Sequence, residues 1–164
     1  MSDEPIKNKL LKPAEEAFLK LFKVMDYRRT KTRPQILGQE NMEIINSLTC
    51  RQERTILFIS AGEEETELGI HPHDLAKSLN CSIQSVSTTL EILVNKNLIL
   101  RTPNPHDRRS CCLQLTPLGH QICRAIQNGL RTVSLDLLEG LTHEDRDAFI
   151  RIVDHFHRHM GLED

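Results

Sequence analysis

Residues 98–119 read LILRTPNPHDRRSCCLQLTPLG and carry the clearest structural pattern in the chain. A turn that contains proline, asparagine and aspartate is flanked there by two short apolar runs, residues 98–101 and 111–115. Such a pattern predicts a β-hairpin. The turn carries Arg108 and Arg109, and Thr116-Pro117 predicts that a helix begins directly afterwards. A hairpin with arginines at its tip suits a narrow, electronegative DNA minor groove.

Two short helices are predicted immediately before this hairpin. The first begins at His71-Pro72, because proline is favoured at the first position of a helix, and it holds three apolar residues, Leu75, Ala76 and Leu79. A tight polar turn at Asn80-Cys81 leads to Ser82, a good N-cap for a second helix that ends near residue 95. The apolar stripe of the second helix consists of Ile83, Val86, Leu90 and Leu93. Helix, turn, helix and hairpin follow each other in the order of a winged helix-turn-helix.

The opposite face of the second helix is the candidate reading surface for DNA. It carries small hydroxyl or amide side chains, namely Ser82, Gln84, Ser85, Thr88 and Thr89. Glutamine can form paired hydrogen bonds with an adenine edge, and serine and threonine can bond to bases or phosphates. The alternative is an ordinary polar helix surface. The position of these residues between a helix-turn-helix and an arginine-tipped hairpin favours the reading surface.

The hairpin tip is the second part of the candidate site. Its Arg109 can enter the minor groove, and Asp107 can hold the guanidinium by a charge-assisted hydrogen bond. Arg108 adds a second positive charge. The alternative is that these arginines are only solvated.

Helices are also predicted before the winged region. Pro13 suits the first position of a helix whose apolar stripe follows i, i+3, i+4, i+7 spacing: Phe18, Leu21, Phe22 and Met25. A shorter helix is predicted around Met42, Ile45 and Leu48. Thr49 and Gln52 match a capping box, which predicts a third helix over about residues 50–60. The acidic run at residues 63–67, with a glycine on either side, predicts a loop.

A long apolar pattern follows the hairpin. It consists of Ile122, Ile126, Leu130, Val133 and Leu137, then Phe149, Ile152, Val153 and Phe156. A small winged domain cannot bury this much apolar surface together with the first helix, which predicts a dimer interface. A helical bundle within a monomer is the alternative. Two reading helices related by a dyad would meet half-sites about one DNA turn, ~34 Å, apart.

Composition is that of an ordinary globular protein, with 164 residues, 38% hydrophobic and 27% charged. The net charge of −2 hides an asymmetry, because residues 7–33 carry nine basic side chains against three acidic ones, and residues 134–164 carry eight acids against three arginines. Solvated helix faces are the alternative to a basic DNA footprint.

With no long apolar run and no signal-peptide pattern, we expect a cytoplasmic protein with no membrane partner. Its five cysteines are expected to be reduced thiols.

The winged region resembles the MarR family of bacterial transcription regulators. The resemblance is carried by Leu48-Thr49-x-x-Gln52, Leu75-Ala76 with Leu79, Ser82 with Val86-Ser87, Leu93 with Leu98-Ile99 and Arg101, Asp107-Arg108-Arg109, and Leu115-Thr116 with Gly119. Its most specific part is HDRRS followed by LTPLG, although Asn104 stands where such wings often carry an aspartate. The family implies a homodimer with interlaced terminal helices, a pseudo-palindromic operator, and the DNA-contacting roles of Asp107 and Arg109 described above.

The resemblance also implies a mainly α-helical fold with a small β-hairpin wing. We expect one integrated domain with four parts: an N-terminal tail (1–12), dimerisation helices (13–48), the winged helix-turn-helix (49–119) and C-terminal dimerisation helices (120–164). The family further implies a small-molecule effector lodged between the dimer helices and the DNA-binding region. A repressor relieved by such an effector is the leading hypothesis.

Enzyme motifs are missing from the sequence, since it has no phosphate-binding loop, nucleophile elbow or zinc-protease helix. We therefore predict no enzymatic activity, no cofactor and no dedicated metal site. The competing hypothesis is a metal- or thiol-dependent sensor on the same scaffold. Its candidate ligands and thiols are His71, His73, Cys111, Cys112 and the run His155, His157 and His159, in which His155 and His159 share a helix face, with Cys50 and Cys81 as possible oxidant sensors. A buried structural thiol is the expected state of Cys50 and of Cys81.

Overall fold

The computed structural model describes residues 4–31, 41–66, 68–105 and 110–161, and in the first helix the side chains of residues 12–24 and 26. The chain forms two compact units, residues 1–42 and 43–164. The four-part division predicted above stays a prediction.

The first unit holds helix α1, Glu4–Lys31. Pro13 lies inside α1, so the prediction that it opens the helix is wrong. A proline there removes one backbone hydrogen bond, but its fixed φ is helical and the helix continues through it. The apolar stripe is exposed within a single chain, with exposed fractions of 47% for Phe18, 45% for Leu21 and 67% for Phe22. The Met25 side chain lies outside the described residues.

The remaining elements run in the order that the sequence predicts for a winged helix-turn-helix. They are α2 (Met42–Asn46), α3 (Cys50–Glu65), α4 (Pro72–Ser78), α5 (Ile83–Asn95), β1 (Ile99–Pro103), β2 (Cys111–Leu115), α6 (Pro117–Leu138) and α7 (His143–His159). The prediction of a mainly α-helical fold with a two-stranded antiparallel hairpin is confirmed.

Helix α3 begins at the predicted capping box. The Thr49 hydroxyl accepts a hydrogen bond from the Gln52 backbone N–H at 3.3 Å, and the Gln52 side chain accepts one from the Thr49 N–H at 2.9 Å. The helix continues to Glu65, so the prediction of an acidic loop is wrong for residues 63–65; Glu67 lies outside the described residues. Glutamate is a good helix former. Gly62 also lies within the helix, at a position where an added Cβ would be 2.8 Å from the Ile70 Cβ.

The core lies where α3, α4, α5, the hairpin and the first half of α6 meet. Its fully buried apolar side chains come from all of these elements, namely Ile56, Ile59, Leu75, Val86, Leu90, Leu93, Leu98, Leu113 and Ile122. Ile45 and Leu48 extend the core to α2 and the residues that follow it. One chain alone therefore buries the apolar core of the winged region.

The hairpin is extended by a short backbone bridge on the outer edge of β2. Leu113 donates to the Ile70 carbonyl at 2.9 Å and accepts from the Ile70 N–H at 3.3 Å. Along the same edge, the Leu115 N–H donates to the Glu63 carboxylate at 2.8 Å. The His71 Nδ1 lies 3.2 Å from the Cys111 carbonyl. This edge of the wing is thus satisfied by α3 and by the start of α4.

The two halves of α6 differ in burial. Ile122 and Ile126, in the first half, are buried, whereas Leu130 and Leu137 are 51% and 42% exposed. The predicted stripe on α7 is exposed as well, and it comprises Phe149, Ile152, Val153 and Phe156. Within the described residues, no helix combines the length and the apolar content needed to cross a bilayer.

Candidate nucleic-acid interface

The turn between α4 and α5 fixes the start of the candidate reading helix. Asn80 adopts φ of 48°, a left-handed conformation that asparagine tolerates well. The Cys81 N–H then bonds to the Ala76 carbonyl at 3.0 Å, and the Ser82 hydroxyl caps α5 by accepting from the Ser85 N–H at 3.2 Å. The prediction of Ser82 as N-cap is confirmed.

The apolar face of α5 holds the helix against the core. Val86, Leu90 and Leu93 are buried as predicted. Ile83 is 47% exposed, so its predicted place in the buried stripe is wrong. It is the first residue of the helix, one turn before the point where the stripe meets the core.

The polar face of α5 is less uniform than the sequence predicts. Ser82, Gln84 and Thr88 are exposed, and Ser85 is half-buried. Thr89 is only 7% exposed, so its predicted outward orientation is wrong. The Thr89 hydroxyl donates to the Ser85 carbonyl at 3.1 Å, which satisfies it within the helix. The accessible face therefore lies in the first half of α5.

Arg51 is a residue of this face that the sequence analysis missed. It lies in the first turn of α3, is exposed, and donates a hydrogen bond from Nη1 to the Ser85 hydroxyl oxygen. At the other end of α5, the Lys96 ammonium donates to the Ser47 hydroxyl at 2.7 Å. These pairs are 34 and 49 residues apart in sequence. No local pattern reports such contacts.

The base of the wing is closed by one residue pair. Asn104, which is 8% exposed, donates from its backbone to the Ser110 carbonyl at 3.2 Å and from its amide to the Ser110 hydroxyl at 3.0 Å. The predicted tip residues Asp107, Arg108 and Arg109 lie outside the described residues, so their part in the site stays a prediction.

Buried thiols lie behind the site. The five cysteines are all free, and Cys50 is exposed, so the expected buried state of Cys50 is wrong; Cys81 is partly exposed. Burial raises the pKa of Cys112, which lies 3.9 Å from His71 Nδ1. Burial also raises the pKa of Cys123. Both shifts disfavour the thiolate, which is the reactive form of cysteine.

A metal centre has little support in the part of the chain that the structure describes. No three His, Cys, Asp or Glu side chains there lie close enough together to hold an ion. The predicted pair His155 and His159 does share a helix face, with stacked rings whose centroids are 6.0 Å apart. Two exposed imidazoles do not complete a zinc site, which needs three or four protein ligands.

The winged region resembles one known family. The MarR family model matches residues 65–111, from the end of α3 to the start of β2. The multiple antibiotic resistance protein MarR of Salmonella typhimurium is 39% identical over 77 residues, which cover 46% of this chain and 54% of that protein. The chain thus spans about half the length of the curated relatives that it matches.

Solved structures show that the likeness in fold extends beyond the winged region. Streptococcus pneumoniae FabT, in complex with DNA, has a TM-score of 0.64 at 19% identity, covering 97% of this chain and 98% of FabT. The S. aureus MepR–DNA complex has a TM-score of 0.62 at 22% identity, covering 85% of this chain and 95% of MepR. The chain therefore shares its winged helix architecture with both.

Proposed function

We propose that this protein is a transcription regulator of the MarR family that binds DNA as a homodimer, with the first half of α5 in the major groove. The main support for the proposal is that α5 has a buried apolar face and an exposed polar face. Its buried apolar stripe fixes the helix, while Ser82, Gln84 and Thr88 are exposed beside the helix N-cap. Hydroxyl and amide groups at the N-terminal end of a helix suit base edges and phosphates.

The wing completes the proposed interface. Its strands are held against α3 and α4 through Glu63, Ile70 and His71, which gives the hairpin a fixed base. We propose that Arg109 enters the minor groove, that Asp107 orients it, and that Arg108 adds a phosphate contact. The FabT and MepR structures in complex with DNA support this proposal by their fold.

The exposed apolar surfaces support the dimer. The second half of α6 and the whole of α7 each carry half-exposed Leu, Ile, Val or Phe side chains. Apolar surface of this extent marks a protein–protein interface. A two-fold dimer presents two α5 helices to half-sites about 34 Å apart, which requires a pseudo-palindromic operator.

We further propose that the regulator is a repressor, released from its operator by a small-molecule effector. A solved structure of S. aureus MepR is bound to ethidium bromide, and that protein has a TM-score of 0.57 to this chain at 22% identity. A regulator of this kind binds chromosomal DNA in the cytoplasm. The cytoplasmic location predicted from the sequence is therefore part of the same proposal.

The experiment that tests the proposal is selection of bound duplexes from a random library. We expect enrichment of one inverted repeat with half-sites a helical turn apart. Arg109→Ala should then weaken binding to that duplex by about 1–3 kcal/mol and leave the dimer intact. Equal recovery of all sequences would reject a sequence-specific regulator, and unchanged affinity at fixed salt would remove Arg109 from the interface.

A thiol-dependent sensor is a second candidate, favoured by one observation. Cys50 is exposed at the first position of α3, next to Arg51 and the reading helix. Oxidation at this position would add a bulky or charged group beside the DNA-binding face. A thiol titration with elemental analysis tests it, because a hyper-reactive Cys50 would support thiol sensing and a stoichiometric metal would support metal sensing.

A further inference from the structure

The hydroxyl groups of α5 differ in whether they donate a hydrogen bond within the protein. Three of them donate back to the carbonyl four residues earlier, at distances of 2.9 Å for Ser87, 3.2 Å for Thr88 and 3.1 Å for Thr89. A hydroxyl has one hydrogen to donate. While these bonds are kept, Ser87 and Thr88 can meet DNA only as acceptors or through their methyl and methylene groups, and Thr89 is buried.

The hydroxyl groups of Ser82 and Ser85 instead accept hydrogen bonds from protein donors. The Ser82 oxygen accepts from the Ser85 backbone N–H, and the Ser85 oxygen accepts from the Arg51 guanidinium. Among the residues that the structure describes, neither hydroxyl donates to a protein acceptor. Each hydroxyl hydrogen can therefore be donated to DNA.

Arg51 also supplies a charge that α5 lacks. The sequence has no lysine or arginine between Ile83 and Asn95. Phosphate contacts require cations, which set the affinity and the salt dependence of DNA binding. A guanidinium has five N–H donors, so Arg51 can hold the Ser85 oxygen and still bond to a phosphate.

We propose that Arg51 is a further DNA-contacting residue, which binds a backbone phosphate beside α5 and at the same time commits the Ser85 hydroxyl to donate to a base acceptor. The acceptors of this kind in the major groove are purine N7, guanine O6 and thymine O4. Arg51 thereby links a phosphate contact to base reading. This inference rests on the proposed DNA-binding function.

A double-mutant cycle tests the link. The probes are the duplex most enriched from the random library and an unrelated duplex of the same length, each titrated at several salt concentrations. We expect Arg51→Ala to weaken binding to the enriched duplex about 10-fold and to reduce the salt slope by about 1. Ser85→Ala should weaken binding in the wild-type background but have little further effect in Arg51→Ala, since neighbours that act together are not additive.

Arg54 provides the matched control. It lies on the same helix three residues later and is also exposed. Arg54→Ala removes the same charge without touching Ser85, so its effect should add to that of Ser85→Ala. Repeating the selection with the Arg51→Ala protein should relax the preference at one base position per half-site, whereas selection with Arg54→Ala should preserve it.

Several outcomes would overturn the inference. They are additive effects of Arg51→Ala and Ser85→Ala, equal coupling of Ser85 to Arg54, or an unchanged salt slope. Thermal unfolding must show that each variant is folded, and Arg51→Gln replaces Arg51→Ala if the latter is not. If a duplex is enriched and Arg109→Ala weakens its binding, while the Arg51 cycle is additive, only the role of Arg51 is lost. If no duplex is enriched, the proposed function and this inference both fail.

Discussion

Helix α6 begins as part of the winged core and ends with its apolar side chains in solvent. In the first half, Ile122 and Ile126 are 0% and 8% exposed, whereas Leu130 and Leu137 in the second half are 51% and 42% exposed. The apolar spacing of the sequence continues unchanged from one half to the other. The apolar spacing therefore marks side chains that require burial. A single chain buries them only in the winged region.

The difference has a direct structural cause. The first half of α6 packs against α3 and β2. Farther along, residues on α7 are exposed along their whole apolar stripe, with Ile152 at 52% and Phe149 at 45%. We therefore expect substitutions in the first region to change the stability of the fold. Substitutions in the second should change assembly.

Gly119 gives the largest expected effect in the winged region. A Cβ at this position would lie 2.0 Å from the Leu98 carbonyl oxygen, which already accepts from the Thr116 N–H at 3.1 Å. The backbone cannot yield without moving α6 away from β1. We expect Gly119→Ala to lower the free energy of unfolding by more than about 4 kcal/mol, measured by urea denaturation at fixed protein concentration.

Gly129 lies in the same helix, ten residues later, and is the matched control. A Cβ there meets no atom within 4 Å. Gly129→Ala should raise the free energy of unfolding by up to about 1 kcal/mol, because alanine favours a helix more than glycine does. Similar losses for the two variants would break the distinction between the halves of α6.

The apolar stripe of α7 should give the next largest effect, on assembly. Phe149→Glu combined with Ile152→Glu places two charges on this stripe. We expect the protein to become monomeric in analytical ultracentrifugation while its circular dichroism stays helical. Affinity for the enriched duplex should fall by more than about 100-fold, because the two half-sites are then bound separately.

Arg151→Glu is the control for this double variant. Arg151 is exposed on α7 and lies two residues from Phe149, on the opposite side of the helix. It introduces the same side chain away from the stripe, so the dimer should persist. A wild-type protein that is monomeric at micromolar concentration would reject the assembly argument altogether.

How far the sequence predicts this molecule depends on the range of the interactions involved. The helix caps at Thr49 and Ser82 and the buried leucines of α5 follow from local chemistry, and they are confirmed. The contact of Arg51 with Ser85 depends on the packing of two helices that are far apart in sequence. Thr89 lies three residues after Val86 and four before Leu93, so helical spacing places it on the buried face, and the outward prediction followed only from its polar side chain.

The acidic run shows the same limit. Charge and flanking glycines indicate a loop, but glutamate has a high helical preference and α3 extends to Glu65. Gly62 is tolerated within the helix, where a side chain would collide with Ile70. The extension places the Glu63 carboxylate beside the wing. There it accepts a hydrogen bond from the Leu115 N–H of β2, which is 52 residues away in sequence. The residues around Glu63 therefore give no indication of this contact.

Glu63 gives the smallest of these effects and tests whether the winged region depends on polar contacts as well as on apolar burial. One oxygen accepts from the Leu115 N–H at 2.8 Å, and the other lies 3.7 Å from His120 Nε2. Glu63→Ala leaves a part-buried N–H without its acceptor, so we expect a loss of about 1–3 kcal/mol in urea denaturation. Glu63→Gln keeps a carbonyl oxygen at the same place and should recover most of the lost stability.

Two other outcomes would change this account of Glu63. If both variants lower the free energy of unfolding equally, the stabilising feature is the negative charge beside His120. If neither loses any, apolar burial alone holds the wing, and the contrast with the exposed half of α6 rests on packing only.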